Sequence, residues 1–166
     1  VEDNVDPERL AALLDVIDVK KTCFNVITKS GSTSETMAQL LILRKELEKE
    51  MGEAWTKNVI ATTDREKGNL IKIAQEYGLQ TFYVPDGVGG RFSELCPVGL
   101  LAAAVCGIDI EALLAGAAYA DEICSVEDVW ENPAYMMATL HYLAMEKGMN
   151  VSVMMPYSDS LKYMSD

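Results

Sequence analysis

The sequence has few of the features by which proteins bind membranes or nucleic acids. No uninterrupted apolar run among its 166 residues approaches the roughly 20 residues of a membrane span. The first residues, Val1 to Asn4, lack the basic and apolar regions of a signal peptide. The net charge of −12 argues against nucleic acid or an anionic membrane as the main partner.

Cysteine and histidine are also scarce. The four cysteines form no CxxC pair and the chain has a single histidine, His141, so no metal site is expected. Cys23 and Cys106 lie in apolar stretches, which predicts buried free thiols in a reducing compartment, and the expected location is therefore the cytoplasm. His141 falls in the middle of a predicted helix, where a lone histidine is more often a packed or partly exposed residue than a catalyst.

The chain does contain alternating strand and helix patterns. Strands are predicted at Cys23–Ile27, Asn58–Thr62, Thr81–Val84 and Asn150–Met155. Helices are predicted from Pro7 to Ile17, from the loop at Ser34 to Met51, from Thr63 to Tyr77, from Pro97 to Cys106, from Asp109 to Ile123 and from Pro133 to Lys147. This alternation indicates a parallel sheet with helices on both faces, and residues 1–166 are predicted to form a single domain.

The third of these helices has a specific predicted start and end. Thr63 and Glu66 have the spacing of a capping box, in which each side chain binds a backbone amide of the first turn. Gly78 follows the last apolar position, as a C-terminal glycine cap does.

The loop from Thr28 to Thr36 is the most informative stretch. Six of its nine residues carry hydroxyls, and it follows a predicted strand and precedes a predicted helix. Ligands of open α/β sheets gather at the carboxyl ends of strands, where a helix start offers free amides and a positive dipole end. Hydroxyls add hydrogen-bond donors, and Gly31 allows close approach of the backbone. The pattern predicts a phosphate site.

Ordinary helix capping is the alternative interpretation of this loop, because Ser32-x-x-Glu35 also has capping-box spacing. A cap uses one or two hydroxyls, however, and the loop has six.

A second candidate loop runs from Asp86 to Ser93. Gly87, Gly89 and Gly90 precede Arg91, so a flexible backbone leads to a fixed positive charge that can stabilise an anionic intermediate. The alternative is a glycine turn followed by a surface arginine, and the residues alone do not decide between the two.

Five segments resemble the glucose-6-phosphate isomerase family. Phe24–Thr36 resembles its phosphate-loop signature, and Val88–Ser93 followed by Pro97–Leu100 resembles its second signature. Gly107–Ile110, Glu131–Ala134 and Tyr157–Leu161 also resemble family segments, in the expected order.

The resemblance implies a sugar isomerase (SIS) domain, which is a three-layer α/β/α fold with a mostly parallel sheet and flavodoxin-like topology. It implies a parent enzyme of glycolysis and gluconeogenesis that interconverts glucose 6-phosphate and fructose 6-phosphate through a cis-enediol, without metal or organic cofactor. The family's phosphate contacts correspond to Thr28, Lys29, Ser30, Gly31, Ser32, Thr33 and Thr36, where Thr28 replaces a common serine. Arg91 corresponds to the arginine that stabilises the enediolate, and Gly89 and Gly90 lie near the sugar.

Several family residues have no counterpart in the sequence. A glycine-serine motif should lie upstream of Val1, and the catalytic glutamate, the ring-opening histidine and a lysine should lie beyond Asp166. His141 does not match that histidine. Because moving a proton from carbon requires a positioned base, we expect a fragment of a longer, homodimeric isomerase that is inactive alone.

Three other functions fit parts of the pattern. One is a non-catalytic SIS module that senses sugar phosphates, although no effector segment is visible. Another is a flavodoxin-like FMN protein, which would need aromatic residues on loops to sandwich the flavin. Within the isomerase class, a dual phosphoglucose/phosphomannose enzyme also fits.

Overall fold

The computed structural model describes residues 4–165. Val1, Glu2 and Asp3, on which the argument against a signal peptide partly rests, lie outside this range, as does Asp166. The backbone separates into two compact units, with the first reaching Ile110 and the second beginning at Glu111. That both belong to one SIS domain stays a prediction.

The first unit is built on a three-stranded parallel sheet. The strands are β1 (Phe24–Thr28), β2 (Val59–Thr63) and β3 (Gln80–Tyr83), in the spatial order β1-β2-β3. Thr28 pairs with Thr63, and Thr63 pairs with Tyr83, so the three strands end level with one another. The α/β class with a parallel sheet is confirmed, and each strand lies one residue from its predicted position.

Four helices belong to this unit: α1 (Pro7–Val16), α2 (Ser34–Met51), α3 (Asn69–Tyr77) and α4 (Pro97–Val105). The predicted bounds of α2 are confirmed, and so is the C-terminal cap of α3, where Gly78 adopts the left-handed conformation. The predicted start of α3 is wrong, because the helix begins at Asn69 and residues 64–68 form a loop.

A single buried cluster joins α2 and α3 to the sheet. Its members come mainly from β1, β2 and these two helices and are Val26, Leu40, Leu47, Trp55, Val59, Ala61, Leu70, Ala74 and Leu79. Within each helix the buried residues are one or two turns apart, so they share one face. This packing fixes the starts of both helices at the carboxyl ends of β1 and β2.

The second unit is helical. It contains α5 (Ile110–Cys124), α6 (Pro133–Glu146) and a final 3₁₀ segment (Asp159–Ser165). Asn132 caps α6 and is fully buried, whereas His141 lies exposed on α6. No helix within residues 4–165 is long and apolar enough to cross a membrane.

The predicted fourth strand at Asn150–Met155 is wrong. This stretch has no strand pairing, and its Val151 and Val153 side chains are 80% and 73% exposed. Apolar β-branched residues favour strand geometry, but a strand exists only when a neighbour accepts its hydrogen bonds. The described part of the second unit has no strand to serve as that neighbour.

The predicted burial of two thiols is also wrong. Cys23 is exposed just before β1, and Cys106 is exposed at the C-cap of α4. Both positions flank an element rather than lie on its packed face, so the apolar neighbours in sequence do not cover them. Cys96 is the buried cysteine.

Candidate functional site

The hydroxyl-rich loop joins the end of β1 to the start of α2. Thr28 is the last residue of β1 and is buried, while Ser30, Ser32 and Thr33 are exposed. Gly31 has a φ of +66°, a conformation that suits glycine, and its N–H donates to the Thr28 carbonyl at 3.1 Å. The loop therefore turns tightly at the carboxyl edge of the sheet, where the sequence predicts a ligand.

Three hydroxyls of this loop converge on one another. The Oγ1 atoms of Thr28 and Thr33 lie 2.8 Å apart, and Ser30 Oγ lies 3.3 Å from Thr33 Oγ1 and 3.5 Å from Thr28 Oγ1. Ser30 Oγ also accepts from the Ser32 N–H at 3.3 Å. Such a cluster can rotate its hydroxyl hydrogens toward an anion, because each oxygen both donates and accepts.

The start of α2 lacks the capping predicted by the alternative interpretation. Thr33 is its N-cap residue, yet its side chain accepts no capping hydrogen bond from any amide in the described chain. Ser32 Oγ accepts instead from the N–H of Asn69, at 3.3 Å. The predicted Ser32–Glu35 capping box is therefore wrong, and within residues 4–165 no side chain caps the first-turn amides of α2.

Two further predicted phosphate contacts flank the hydroxyl cluster. Lys29 is half-buried, and its backbone carbonyl accepts from the Asp64 N–H at 3.2 Å. Thr36 is half-buried in the first turn of α2. The predicted phosphate contacts thus lie on one continuous loop and helix start.

The segment after β2 makes contacts that the sequence pattern did not reveal. Thr63 was predicted to cap α3, but its hydroxyl donates to the Thr28 carbonyl at 2.7 Å. A buried hydrogen bond across strands replaces the local cap, and the N–H groups of Asn69 and Leu70 donate to the Gly31 carbonyl instead. The position of Asp64, immediately after a strand and ahead of Gly68, was the available signal for a loop.

Asp64 shapes this segment. Its Oδ1 accepts from the N–H groups of Glu66 and Lys67, at 2.8 and 2.9 Å. These two hydrogen bonds, with the nearby charges of Lys67 and Lys29, lower the pKa of the Asp64 carboxyl below its ordinary value.

A cavity of about 370 Å³ lies at the carboxyl ends of β2 and β3. It is lined by residues 64–67 and 83–86, and the Arg65 guanidinium stacks 4.7 Å from the centre of the Tyr83 ring. None of the predicted phosphate contacts lines it.

Among the described residues, no hydrogen bond or ion pair joins the second candidate loop to the first. Gly90–Phe92 forms a 3₁₀ turn held by a hydrogen bond from Ser93 Oγ to the Gly90 carbonyl, at 2.7 Å. Arg91 is exposed, and no hydrogen bond or ion pair links it to residues 28–36 in the region that the structure describes. Gly89 and Gly90 place Arg91 on a turn. The predicted role of Arg91 in stabilising an anionic intermediate stays a proposal.

The family model for phosphoglucose isomerase matches residues 1–166. The chain belongs to the phosphoglucose isomerase family. It is 59% identical to the glucose-6-phosphate isomerase of Carboxydothermus hydrogenoformans over its whole length, and 48% identical to that of Rubrobacter xylanophilus over 96% of the chain. It spans 36% and 37% of those two relatives, so it corresponds to about a third of their length.

Two solved structures are similar to most of the chain, and one of them is a glucose-6-phosphate isomerase. A glucose-6-phosphate isomerase from Chlamydia trachomatis matches 97% of the chain with a TM-score of 0.80 and 27% identity, and the match covers 31% of that protein. A hypothetical protein from Thermus thermophilus matches 87% of the chain with a TM-score of 0.83 and 42% identity, covering 34% of its own length.

Proposed function

We propose that this chain is the sugar-phosphate-binding part of a glucose-6-phosphate isomerase, and that residues 28–36 bind the phosphate of a hexose 6-phosphate. The observation that carries this proposal is the start of α2, where hydroxyls cluster and no side chain of the described residues caps the helix. The amides there are free to donate to a ligand, and the positive end of the helix dipole favours an anion.

Hydrogen bonds supply the proposed affinity. Each one to a charged group contributes about 1.5–3 kcal/mol, so four or five donors can hold a phosphate without an arginine clamp. Ser30, Ser32 and Thr33 offer exposed hydroxyls, and Lys29 adds an ammonium group to the same loop.

Arg91 is proposed to act on the sugar rather than on the phosphate. In the parent reaction a proton moves between C2 and C1 of the open-chain sugar, and negative charge develops on oxygen as the base removes the proton on the way to the cis-enediol. A guanidinium stabilises such charge, and Gly89 and Gly90 leave room for the sugar beside it. The transfer also needs a positioned base, for which the sequence offers no family counterpart. We therefore propose that the isolated chain binds hexose phosphates without isomerising them.

Calorimetric titration with fructose 6-phosphate tests the phosphate site. The variant Ser32→Ala/Thr33→Ala removes two hydroxyls of the loop, and we expect its affinity to fall about a hundredfold, since two charge-assisted hydrogen bonds are lost. The matched control is Thr22→Ala/Ser125→Ala, which removes two hydroxyls that each bond a local carbonyl elsewhere.

Equal affinity of the wild type and the Ser32→Ala/Thr33→Ala variant would refute the phosphate-loop assignment. The same purified protein addresses the FMN alternative, which requires a coloured preparation. Stereospecific turnover by the isolated chain, free of host isomerase, would contradict the proposed lack of activity.

A further inference from the structure

The last residue of β2 and the residues after it, 63–70, donate hydrogen bonds to backbone carbonyls of the hydroxyl-rich loop. The Thr63 hydroxyl donates to the Thr28 carbonyl at 2.7 Å, and this hydrogen bond is buried. The next residue continues the pattern, because the Asp64 N–H donates to the Lys29 carbonyl at 3.2 Å. Two successive acceptors of the loop are thus engaged from the neighbouring strand.

The carbonyl of Gly31 is engaged from the same side. It accepts from the N–H groups of Asn69 and Leu70, at 2.6 and 2.8 Å, and so caps the start of α3. With the Thr28 and Lys29 carbonyls, three acceptors of the hydroxyl-rich loop are held by residues 63–70.

Engaging these acceptors matters for an anion site. Carbonyl oxygens carry partial negative charge and would repel phosphate oxygens, whereas amides and hydroxyls donate to them. Because residues 63–70 bind these carbonyls, the loop is held in a position where its hydroxyls and amides, rather than its carbonyls, can face an anion.

We propose that Thr63 is a positioning residue for the phosphate site, acting through its hydroxyl on the Thr28 carbonyl. This inference rests on the proposed function of residues 28–36. Thr63 is fully buried, so a ligand does not contact its hydroxyl directly. Its effect on binding is exerted through the position of Thr28, whose own hydroxyl belongs to the convergent cluster.

The adjacent residue provides a matched control. Thr62 is equally buried in β2, but its hydroxyl donates to Asn25 Oδ1 at 2.9 Å, away from the loop carbonyls. Thr62→Val and Thr63→Val each remove one buried hydroxyl and leave one acceptor without its donor. Their costs to folding should be similar. A purely structural role for Thr63 would make the two variants equivalent in ligand binding as well.

Gly68 provides an independent test of whether residues 63–70 set the position of the hydroxyl-rich loop. Its φ is +96°, and a Cβ built there would lie 2.5 Å from the Gly31 Cα and would also collide with the Ser30 carbonyl oxygen. Gly52 has a comparable positive φ of +59°, but its added Cβ would meet no described atom within 4 Å. Gly68→Ala and Gly52→Ala therefore both strain the backbone, but only Gly68→Ala displaces the hydroxyl-rich loop.

The experiment compares fructose 6-phosphate affinity with urea unfolding for wild type and variants of the whole 166-residue chain. For Thr63→Val we expect affinity to fall about ten- to hundredfold, because displacing Thr28 would weaken one or two of the hydrogen bonds that the loop donates to the charged ligand. Thr62→Val should bind within about twofold of wild type despite similar destabilisation, and Thr63→Ser, which keeps the hydroxyl, should restore binding.

Equal affinities of Thr62→Val and Thr63→Val would overturn the positioning role, as would a Thr63→Ser variant that binds as weakly as Thr63→Val. If Thr63→Val does not fold, Gly68→Ala against Gly52→Ala decides the matter, and equal affinities of that pair overturn the inference. The Ser32→Ala/Thr33→Ala variant separates the two proposals. If it loses binding while the Thr63 and Gly68 variants do not, the phosphate site stands and the positioning role fails.

Discussion

The N-terminal ends of α6 and α2 differ in how their first-turn amides are hydrogen-bonded. At α6, the buried Asn132 side chain accepts from the N–H groups of Ala134 and Tyr135 and donates to the carbonyls of Cys124 and Val126. Every hydrogen-bonding position of that amide is engaged, and the helix start is closed. At α2, Thr33 occupies the same N-cap position but directs its hydroxyl to other hydroxyls.

The difference separates a helix start that serves the fold from one available to a ligand. Both have residues that cap well in isolation, since Asn and Thr are each favoured at the N-cap. The surrounding structure decides whether the first-turn amides are occupied. A polar residue before a helix is therefore informative about function only when its hydrogen-bond partners are known.

The largest expected effect is on the closed helix start. Asn132→Ala should lower the free energy of unfolding by roughly 2 kcal/mol, because it removes a helix cap and the two hydrogen bonds that the buried Asn132 side chain donates to the Cys124 and Val126 carbonyls. Urea denaturation measures this, with the exposed Asn150→Ala as the control. The affinity of the folded protein for fructose 6-phosphate should not change. A loss below about 1 kcal/mol would show that Asn132 is not what holds this helix start.

A side-chain cap at the start of α2, whose first-turn amides are uncapped, should raise the free energy of unfolding by a smaller amount. Thr33→Asn supplies a side chain that can cap α2, and we expect a gain of about 0.5–1 kcal/mol in unfolding free energy. The same change should weaken fructose 6-phosphate binding about tenfold, because the cap occupies an amide and the hydroxyl cluster is broken.

Thr33→Ser is the control for that experiment, since it retains the hydroxyl and should leave both quantities near the wild-type values. Full affinity in a more stable Thr33→Asn protein would show that the first-turn amides of α2 are not used by the ligand. The contrast between the two helix starts would then lose its functional meaning.

The smallest expected effect concerns the loop of residues 64–68, which contacts the loop that precedes α2. The pKa of Asp64 is lowered below its ordinary value of 3.8 by two backbone hydrogen bonds, so its ionised form stabilises the folded state. That contribution is present above about pH 3.8 and is lost as the pH falls through the folded-state pKa. Asp64→Asn should therefore be slightly less stable than wild type at about pH 7.

Urea unfolding of wild type and Asp64→Asn, from about pH 7 down to below the ordinary Asp64 pKa of 3.8, checks this prediction. Asp86→Asn is the control for the loss of one negative charge. The difference between wild type and Asp64→Asn should shrink toward the acid end. A difference that stays constant as the pH falls would rule out the carboxylate as its source.

Local periodicity predicted the sheet and most helix bounds, because the apolar face of each element is encoded within it. It also located the hydroxyl-rich loop, since six hydroxyls exceed the needs of a cap. It failed where a distant partner decides the outcome. Thr63–Glu66 has capping-box spacing, yet Thr63 bonds Thr28, 35 positions earlier in the chain. Likewise, Val151 and Val153 have strand character without a strand beside them.

The Gly31 carbonyl also bears on which anions the loop can distinguish. By accepting from the first two amides of α3, it offsets part of the positive end of that helix, whereas α2 keeps a dipole end equivalent to about half an elementary charge. The ionic side chains of residues 28–36 and 63–69 balance in sign: Lys29, Arg65 and Lys67 against Glu35, Asp64 and Glu66. A doubly charged ester held here would be recognised by the tetrahedral arrangement of its oxygens more than by net attraction, so added salt would have little to screen.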